Sequence, residues 1–221
     1  GILQVESGLP IIEDLAEAHG VQPHQETDAA VWSFYRNKIV CCSDGEGGAI
    51  AFRNPDHAAL ARQLRSLGFD DNHDFRHIPR GVNARLANSL AAKILDSLDM
   101  VEVSLRERRQ IESWYDEYCP AKWRMPKRDV VWVYDLRIPG LTRDKQTAIV
   151  KALNAAGIAA RHSFYPMSRQ EEFKNCRLVA NLGRVQSDAA SREVFYLPCD
   201  PAVREEDCKK AMEIITSFQL I

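Results

Sequence analysis

The sequence predicts an α/β protein, and three observations carry that expectation. Short apolar runs bounded by Gly, Pro or acidic residues alternate with stretches whose apolar residues recur at helical spacing. Helical stretches are followed by stop signals such as Gly68 and Gly157. The 221 residues are 45% hydrophobic and 27% charged, an ordinary globular composition. A chain of that length can bury a sizeable core in one large domain or two small ones.

The elements follow in order. Leu9 to Glu13 is an apolar run after Gly8 that ends in acids, as a buried strand would. Val31 to Tyr35 and Gly48 to Phe52 are the second and third strand candidates. Pro55 to Leu67 places Leu60, Leu64 and Leu67 on one side of a helix, with Gly68 as its stop. The polar stretch 70–80, with His73, His77 and Pro79, is expected to be a connecting loop. From Asn83 to about Tyr118 there is no Gly or Pro, and Leu86, Leu90, Ile94, Leu98, Val101 and Leu105 repeat at helical spacing. That stretch is one long helix or two nearly collinear ones. Pro120 and Pro126 then punctuate the chain.

A second unit follows. Val130 to Leu136 is the strongest strand signal in the chain. Thr142 can cap a helix running to Ala156, which Gly157 ends, and Ile158 to Phe164 forms a further strand candidate. Arg204 to Phe218 is a closing helix. The boundary falls between about Arg106 and Pro126, giving domains over 1–107 and 108–221.

Several function classes lack support. A formal net charge of -2 gives no electrostatic case for nucleic acid or an anionic membrane surface. No apolar run approaches the roughly 18 residues that span a bilayer, and no signal-peptide pattern opens the chain. The six cysteines include no C-x-x-C pair, and the six histidines show no H-E-x-x-H spacing. No metal site and no disulfide framework is expected, and the thiols suit a cytoplasmic location.

One ordered set of residues points to chemistry. Asp14 follows the first apolar run, and Ser33 and Lys38 stand at and just beyond the end of the second, ahead of Gly45, Gly47 and Gly48. Pyridoxal phosphate (PLP) requires an amine for its aldehyde, a carboxylate for its pyridine nitrogen and donors for its phosphate. Each residue alone has a plainer reading. Asp14 is more simply a helix cap, Lys38 a solvated lysine and Ser33 a turn serine. Glu17, three residues beyond Asp14, would share its face in a helical turn. The glycines suggest a tight turn more than a phosphate cradle. Arg161, before Phe164-Tyr165-Pro166, could hold a substrate carboxylate, although a surface arginine is the commoner outcome.

The set as a whole resembles the DegT/DnrJ/EryC1/StrS family of PLP-dependent sugar aminotransferases, almost from end to end. Ile12-Glu13-Asp14-Leu15-Ala16-Glu17-Ala18-His19-Gly20 is similar to the family's acid-Asp-x-Ala-Gln/Glu-Ala-His-Gly segment. Ser33 through Lys38 with Gly45-Glu46-Gly47-Gly48 resembles its Schiff-base segment. Gly81-Val82-Asn83-Ala84-Arg85-Leu86 resembles a Gly-x-Asn-x-Arg stretch opening a helix. Gly157-Ile158-Ala159-Ala160-Arg161 with Phe164-Tyr165-Pro166-Met167, and then Tyr196-Leu197-Pro198, complete the order.

The resemblance implies a role for each position. Asp14 would pair with the pyridine nitrogen, Glu17 would lie close to the ring, Ser33 would bind the phosphate and Lys38 would form the Schiff base. Asn83 would reach across a homodimer interface to the phosphate held by the other subunit. Arg85, Arg161 and Tyr165 are substrate-binding candidates. The implied reaction moves an amino group from an amino acid, with glutamate the expected donor, to a nucleotide-linked keto sugar. Cell-surface polysaccharide biosynthesis is the expected setting. A different class, a non-catalytic binding or scaffolding module on the same fold, is the rival.

Two departures qualify the resemblance. Met167-Ser168 stands where the family carries Leu/Ile-His after Tyr-Pro, which removes a substrate-facing histidine. The family's segment ahead of the Ile12-Glu13-Asp14 strand, with a phosphate-gripping Gly-Thr turn and a stacking aromatic, has no counterpart, and Gly1 replaces an initiating methionine. The expectation is therefore the C-terminal portion of a fold-type-I PLP transferase: an incomplete large-domain sheet plus a small α/β domain. Such a fragment would be inactive or bind PLP weakly, and would self-associate through apolar surface exposed around Ile11 and Val31.

Overall fold

The computed structural model describes residues 8–69, 75–173 and 181–219, the side chains of 181–185 excepted. Residues 70–74 of the expected connecting loop, including His73, and Cys176 lie outside the described residues, as do Gly1 and the residues after it up to position 7. The chain divides into two compact units, Gly1–Leu105 and Arg106–Ile221.

The first unit is built on a three-stranded sheet ordered β1 (Ile12–Asp14), β2 (Ala29–Ser33), β3 (Gly48–Phe52). β1 and β2 run parallel with Asp14 opposite Val31, and β3 runs antiparallel to β2 with Ser33 opposite Gly48. The expected buried strand at Leu9–Glu13 is corrected. β1 is shorter, with Leu9 outside it, and Leu9 and Ile12 are 71% and 70% exposed; among the described residues β1 is an edge strand paired only with β2. Ile11 and Val31 are half-buried rather than exposed.

α1 (Pro55–Arg65) starts at Asn54, whose side chain accepts a hydrogen bond from Asp56 N, with Pro55 in the first turn. It buries no residue, and Leu60 is exposed. The long helical stretch resolves into α2 (Asn88–Asp99) and α3 (Val101–Tyr118), interrupted at Met100 and starting five residues later than Asn83. A small core forms where Val40, Cys42 and Ile94 meet, flanked by Phe34, Leu86, Leu90 and Val101. That core clamps the segment after β2 onto α2. Cys41 N also donates to Ser97 Oγ of the same helix.

The second unit holds an antiparallel sheet ordered β4 (Tyr134–Arg137), β6 (Val194–Leu197), β5 (Arg161–His162). α4 (Arg143–Ala155), α5 (Asn181–Glu193) and α6 (Glu205–Ser217) accompany it. Thr142 Oγ1 accepts from Lys145 N at the start of α4, and Gly157 follows its end at φ 85°, a left-handed conformation that favours glycine. At α6, Asp207 Oδ2 accepts from Arg204 N, closing its first turn.

The strands at 130–136 and 158–164 are shorter than the apolar runs suggest. β4 pairs with all four residues of β6, whereas β5 pairs with only two of them. Val131 is instead buried as irregular chain. The core of this unit gathers Leu136, Phe195, Leu197, Ile149, Leu153, Met212 and Ile215, all at 2% exposure or less. Tyr115 stacks on Tyr134 with ring centroids 4.5 Å apart. Burial raises the thiols of Cys199 and Cys208 to about 12, so both remain protonated within this core at neutral pH.

Candidate cofactor site

The site grows from the C-terminal ends of two parallel strands. Parallel pairing turns β1 and β2 to face the same way, so Asp14 and Ser33 emerge at one edge of the sheet. The chain leaves β1 through a hydrogen bond from Leu15 N to Val31 O (2.9 Å). It then turns through Ala18 N to Leu15 O (3.0 Å), a non-helical turn in place of the helical one the Asp14-Glu17 spacing suggests. Asp14 is exposed, and its Oδ1 accepts from Ala16 N (3.0 Å). The capping reading therefore holds in its local geometry, and the carboxylate remains open to a ligand.

Glu13, beside it, faces the other way along the connection. Its Oε2 accepts from His24 N (2.9 Å) and Thr27 Oγ1 (2.8 Å). Asp28 Oδ2 accepts from Ile11 N (2.7 Å). These bonds fix the crossover from β1 to β2. His19 is buried within the same connection, its ring centroid 5.9 Å from that of Phe34, in keeping with a structural histidine.

Lys38 follows β2 in a turn closed by its own N–H to Tyr35 O (2.9 Å). Its side chain is 12% exposed, and Nζ donates to Glu17 Oε1 at 2.8 Å. A mostly buried ammonium requires a counter-charge or acceptors, and the turn after β1 supplies one. Ser33 is half-buried, and its Oγ accepts from Tyr35 N at 3.3 Å while its hydroxyl keeps a proton to donate.

The glycine run beyond Lys38 packs rather than cradles. A Cβ on Gly47 would lie 3.0 Å from Ile94 Cδ1 and 3.2 Å from Leu86 Cδ1, and one on Gly48 would lie 2.9 Å from Trp32 O. Phe34 N donates to Gly47 O (2.8 Å) and Cys42 N to Phe34 O (2.9 Å), which closes the lysine segment into a compact loop.

The structure therefore brings Asp14, Glu17, Ser33 and Lys38 to one end of one sheet. Asn83 and Arg85 stand on the segment before α2, where Asn83 bridges Ser66, and both are exposed. Arg161 opens β5 and Tyr165 follows it in the second unit, both exposed. Neighbouring His162 lies within hydrogen-bond distance of Thr147 Oγ1 (3.2 Å), and burial, with Arg143 adding to it, holds the imidazole below its ordinary value. The Glu17–Lys38 ion pair is the feature that sequence reasoning missed. The two residues are 21 apart, and only the parallel pairing of their strands makes them neighbours. Among the described residues no cluster of His, Cys, Asp and Glu is suited to a metal ion.

The donor set fits PLP: a sheltered amine, a carboxylate on the adjoining strand end and a hydroxyl between them in sequence. The DegT/DnrJ/EryC1/StrS aminotransferase family matches residues 3–216. The chain belongs to that family. Its members depend on PLP.

Two curated relatives and one solved structure show the extent of the likeness. GDP-perosamine synthase of Caulobacter vibrioides is 36% identical over 72% of this chain and 46% of its own length. UDP-2-acetamido-2-deoxy-3-oxo-D-glucuronate aminotransferase of Pseudomonas aeruginosa is 29% identical over 88% of this chain and 54% of its own. A DegT/DnrJ/EryC1/StrS aminotransferase crystal structure from Brucella abortus superposes with a TM-score of 0.80 at 26% identity, over 96% of this chain and 57% of that one. The chain spans about half the length of the curated relatives it matches. No helix among the described residues is long and apolar enough to cross a membrane.

Proposed function

We propose that the protein of which this chain is at least part transfers an amino group from an amino acid, with glutamate as donor, to a nucleotide-linked keto sugar, using PLP. The observation that carries this reading is the mostly buried Lys38 amine beside Glu17, at the strand ends that also present Asp14 and Ser33. The relatives named for a GDP-linked and a UDP-linked sugar support the nucleotide-sugar class. The reaction class fits a cytoplasmic step towards cell-surface polysaccharide.

Bound PLP supplies an electron sink for the carbon that bears the amino group. Lys38 Nζ would hold the cofactor and would serve as the base that takes up and returns a proton at that carbon. Asp14 would keep the pyridine nitrogen protonated by charge pairing. Ser33 Oγ would donate to the phosphate, and Asn83 would serve the phosphate of a partner subunit in a homodimer. Arg85, Arg161 and Tyr165 orient the substrates, and Met167-Ser168 leaves sugar choice to groups other than a histidine.

The test, on the full-length protein, is to add PLP, reduce with borohydride and map the labelled peptide, then measure amino transfer from glutamate to nucleotide-linked keto sugars. Label on Lys38 with turnover is the expected result. Label on another lysine would overturn the site. Label on Lys38 without turnover of any keto sugar would favour the non-catalytic binding module.

A further inference from the structure

Glu17 spans the two strand ends. It sits in the turn after β1, whereas Lys38 sits in the turn after β2, and their 2.8 Å bond ties those turns together. Lysine has four rotatable side-chain bonds, and a free ammonium would sample many positions. Glu17 is 41% exposed, while the amine it holds is 12% exposed, so the acceptor reaches in from the rim and the lysine points inward to it. The backbone of both partners is fixed independently. The turn of Glu17 hangs on Ala18 N to Leu15 O, and that of Lys38 on its own N–H and on the Phe34–Gly47 and Cys42–Phe34 bonds.

We infer that Glu17 is a positioning residue that parks the Lys38 amine at the end of β1, next to Asp14, before the cofactor arrives. The carboxylate restrains Nζ from solvent and presents it where an aldehyde held at the strand ends would meet it. This inference rests on the proposed PLP site, but the hold itself belongs to the chain without cofactor.

The test uses the full chain and two probes. The first is trace acylation with a neutral amine reagent in the absence of PLP, with each lysine quantified by peptide mapping. Glu17→Ala should raise acylation of Lys38 several-fold, while Lys93, which pairs with Asp44, stays unchanged as an internal reference. The second is PLP with borohydride, where Glu17→Ala should lower the label at Lys38 several-fold. Opposite responses to the two probes distinguish lost positioning from unfolding, which would raise acylation at all lysines alike. Glu17→Gln keeps an oxygen acceptor at the same reach and should restore most of both signals.

Unchanged acylation of Lys38 in Glu17→Ala would overturn the inference, as would Glu17→Gln behaving like Glu17→Ala. Absence of PLP label on Lys38 in the unmodified full-length protein would instead overturn the proposed function, while the acylation arm would still decide the role of Glu17.

Discussion

At the residue scale, Asp14 already has a local task, and its proposed role would be a second. One oxygen accepts from Ala16 N and shapes the turn, and the residue remains exposed at the strand end. An amide at this position preserves the turn bond, since its oxygen accepts equally well, but it carries no charge to hold a pyridine nitrogen protonated. Asp14→Asn in the PLP-loaded protein should therefore keep the borohydride label on Lys38 while amino transfer falls by orders of magnitude. Each unit of ring-nitrogen pKa lost corresponds to about 1.4 kcal/mol. Steady-state turnover beside label stoichiometry checks this, and near-unchanged turnover would remove Asp14 from its role. The plain readings of Asp14, Ser33 and Lys38 as cap, turn and surface residues are each partly right in local geometry. Only Lys38 departs from its plain reading, because a 12% exposed amine is not a solvated one.

At the scale of elements, the lysine loop depends on glycine for space. Gly47 lies under α2 with Ile94 and Leu86 where its Cβ would be. Gly47→Ala should force those side chains or the loop aside and destabilise the first unit by about 1–3 kcal/mol, as overpacking commonly does. Denaturant unfolding measures that loss, and a parallel fall in PLP label would show that the loop carries Lys38 with it. In the second unit α4 and α6 were legible because their signals are local, such as Thr142 before α4, Gly157 after it and apolar residues at helical spacing between, whereas α5 was missed. The strands were less so. β4 ends where its partner β6 does, whereas β5 pairs with only two of the four β6 residues, and the short β6 run directly after α5 was not picked out in the sequence.

At the scale of the whole molecule, charge and apolar surface make separate predictions. Glu193 accepts from Arg137 Nε (2.8 Å) and Gly140 N (3.0 Å). Its burial raises the carboxyl's affinity for a proton, but these partners outweigh it and hold the group below its ordinary value. A depressed carboxylate adds stability that is complete above its unfolded value, about 4.3, and is lost as pH falls through the folded one. Acid unfolding of the second unit should therefore steepen below about pH 4.3, and Glu193→Gln should flatten that limb relative to the unmodified chain, as read by circular dichroism. In the first unit, Leu9, Ile12 and Ile50 are 71%, 70% and 49% exposed. Apolar surface of this kind beside an unpaired strand edge favours association. Light scattering should show mass rising with concentration, and Ile12→Lys should reduce it.

The sequence by itself determined the family, the cofactor chemistry and the order of the site residues, because motifs are runs of neighbours and neighbours are what a sequence records. It also determined helix ends wherever a cap or glycine stood beside the helix. Only the tertiary structure decided that β1 lies at a sheet edge among the described residues with Ile12 exposed, that Gly45 and Gly47 pack against α2, and that Glu17 holds Lys38. Each of these depends on which strand pairs with which, and pairing joins residues far apart in the chain through hydrogen bonds that any backbone can make. The side chains decide the partner only through the buried surface they share, and that surface exists only after the chain has folded.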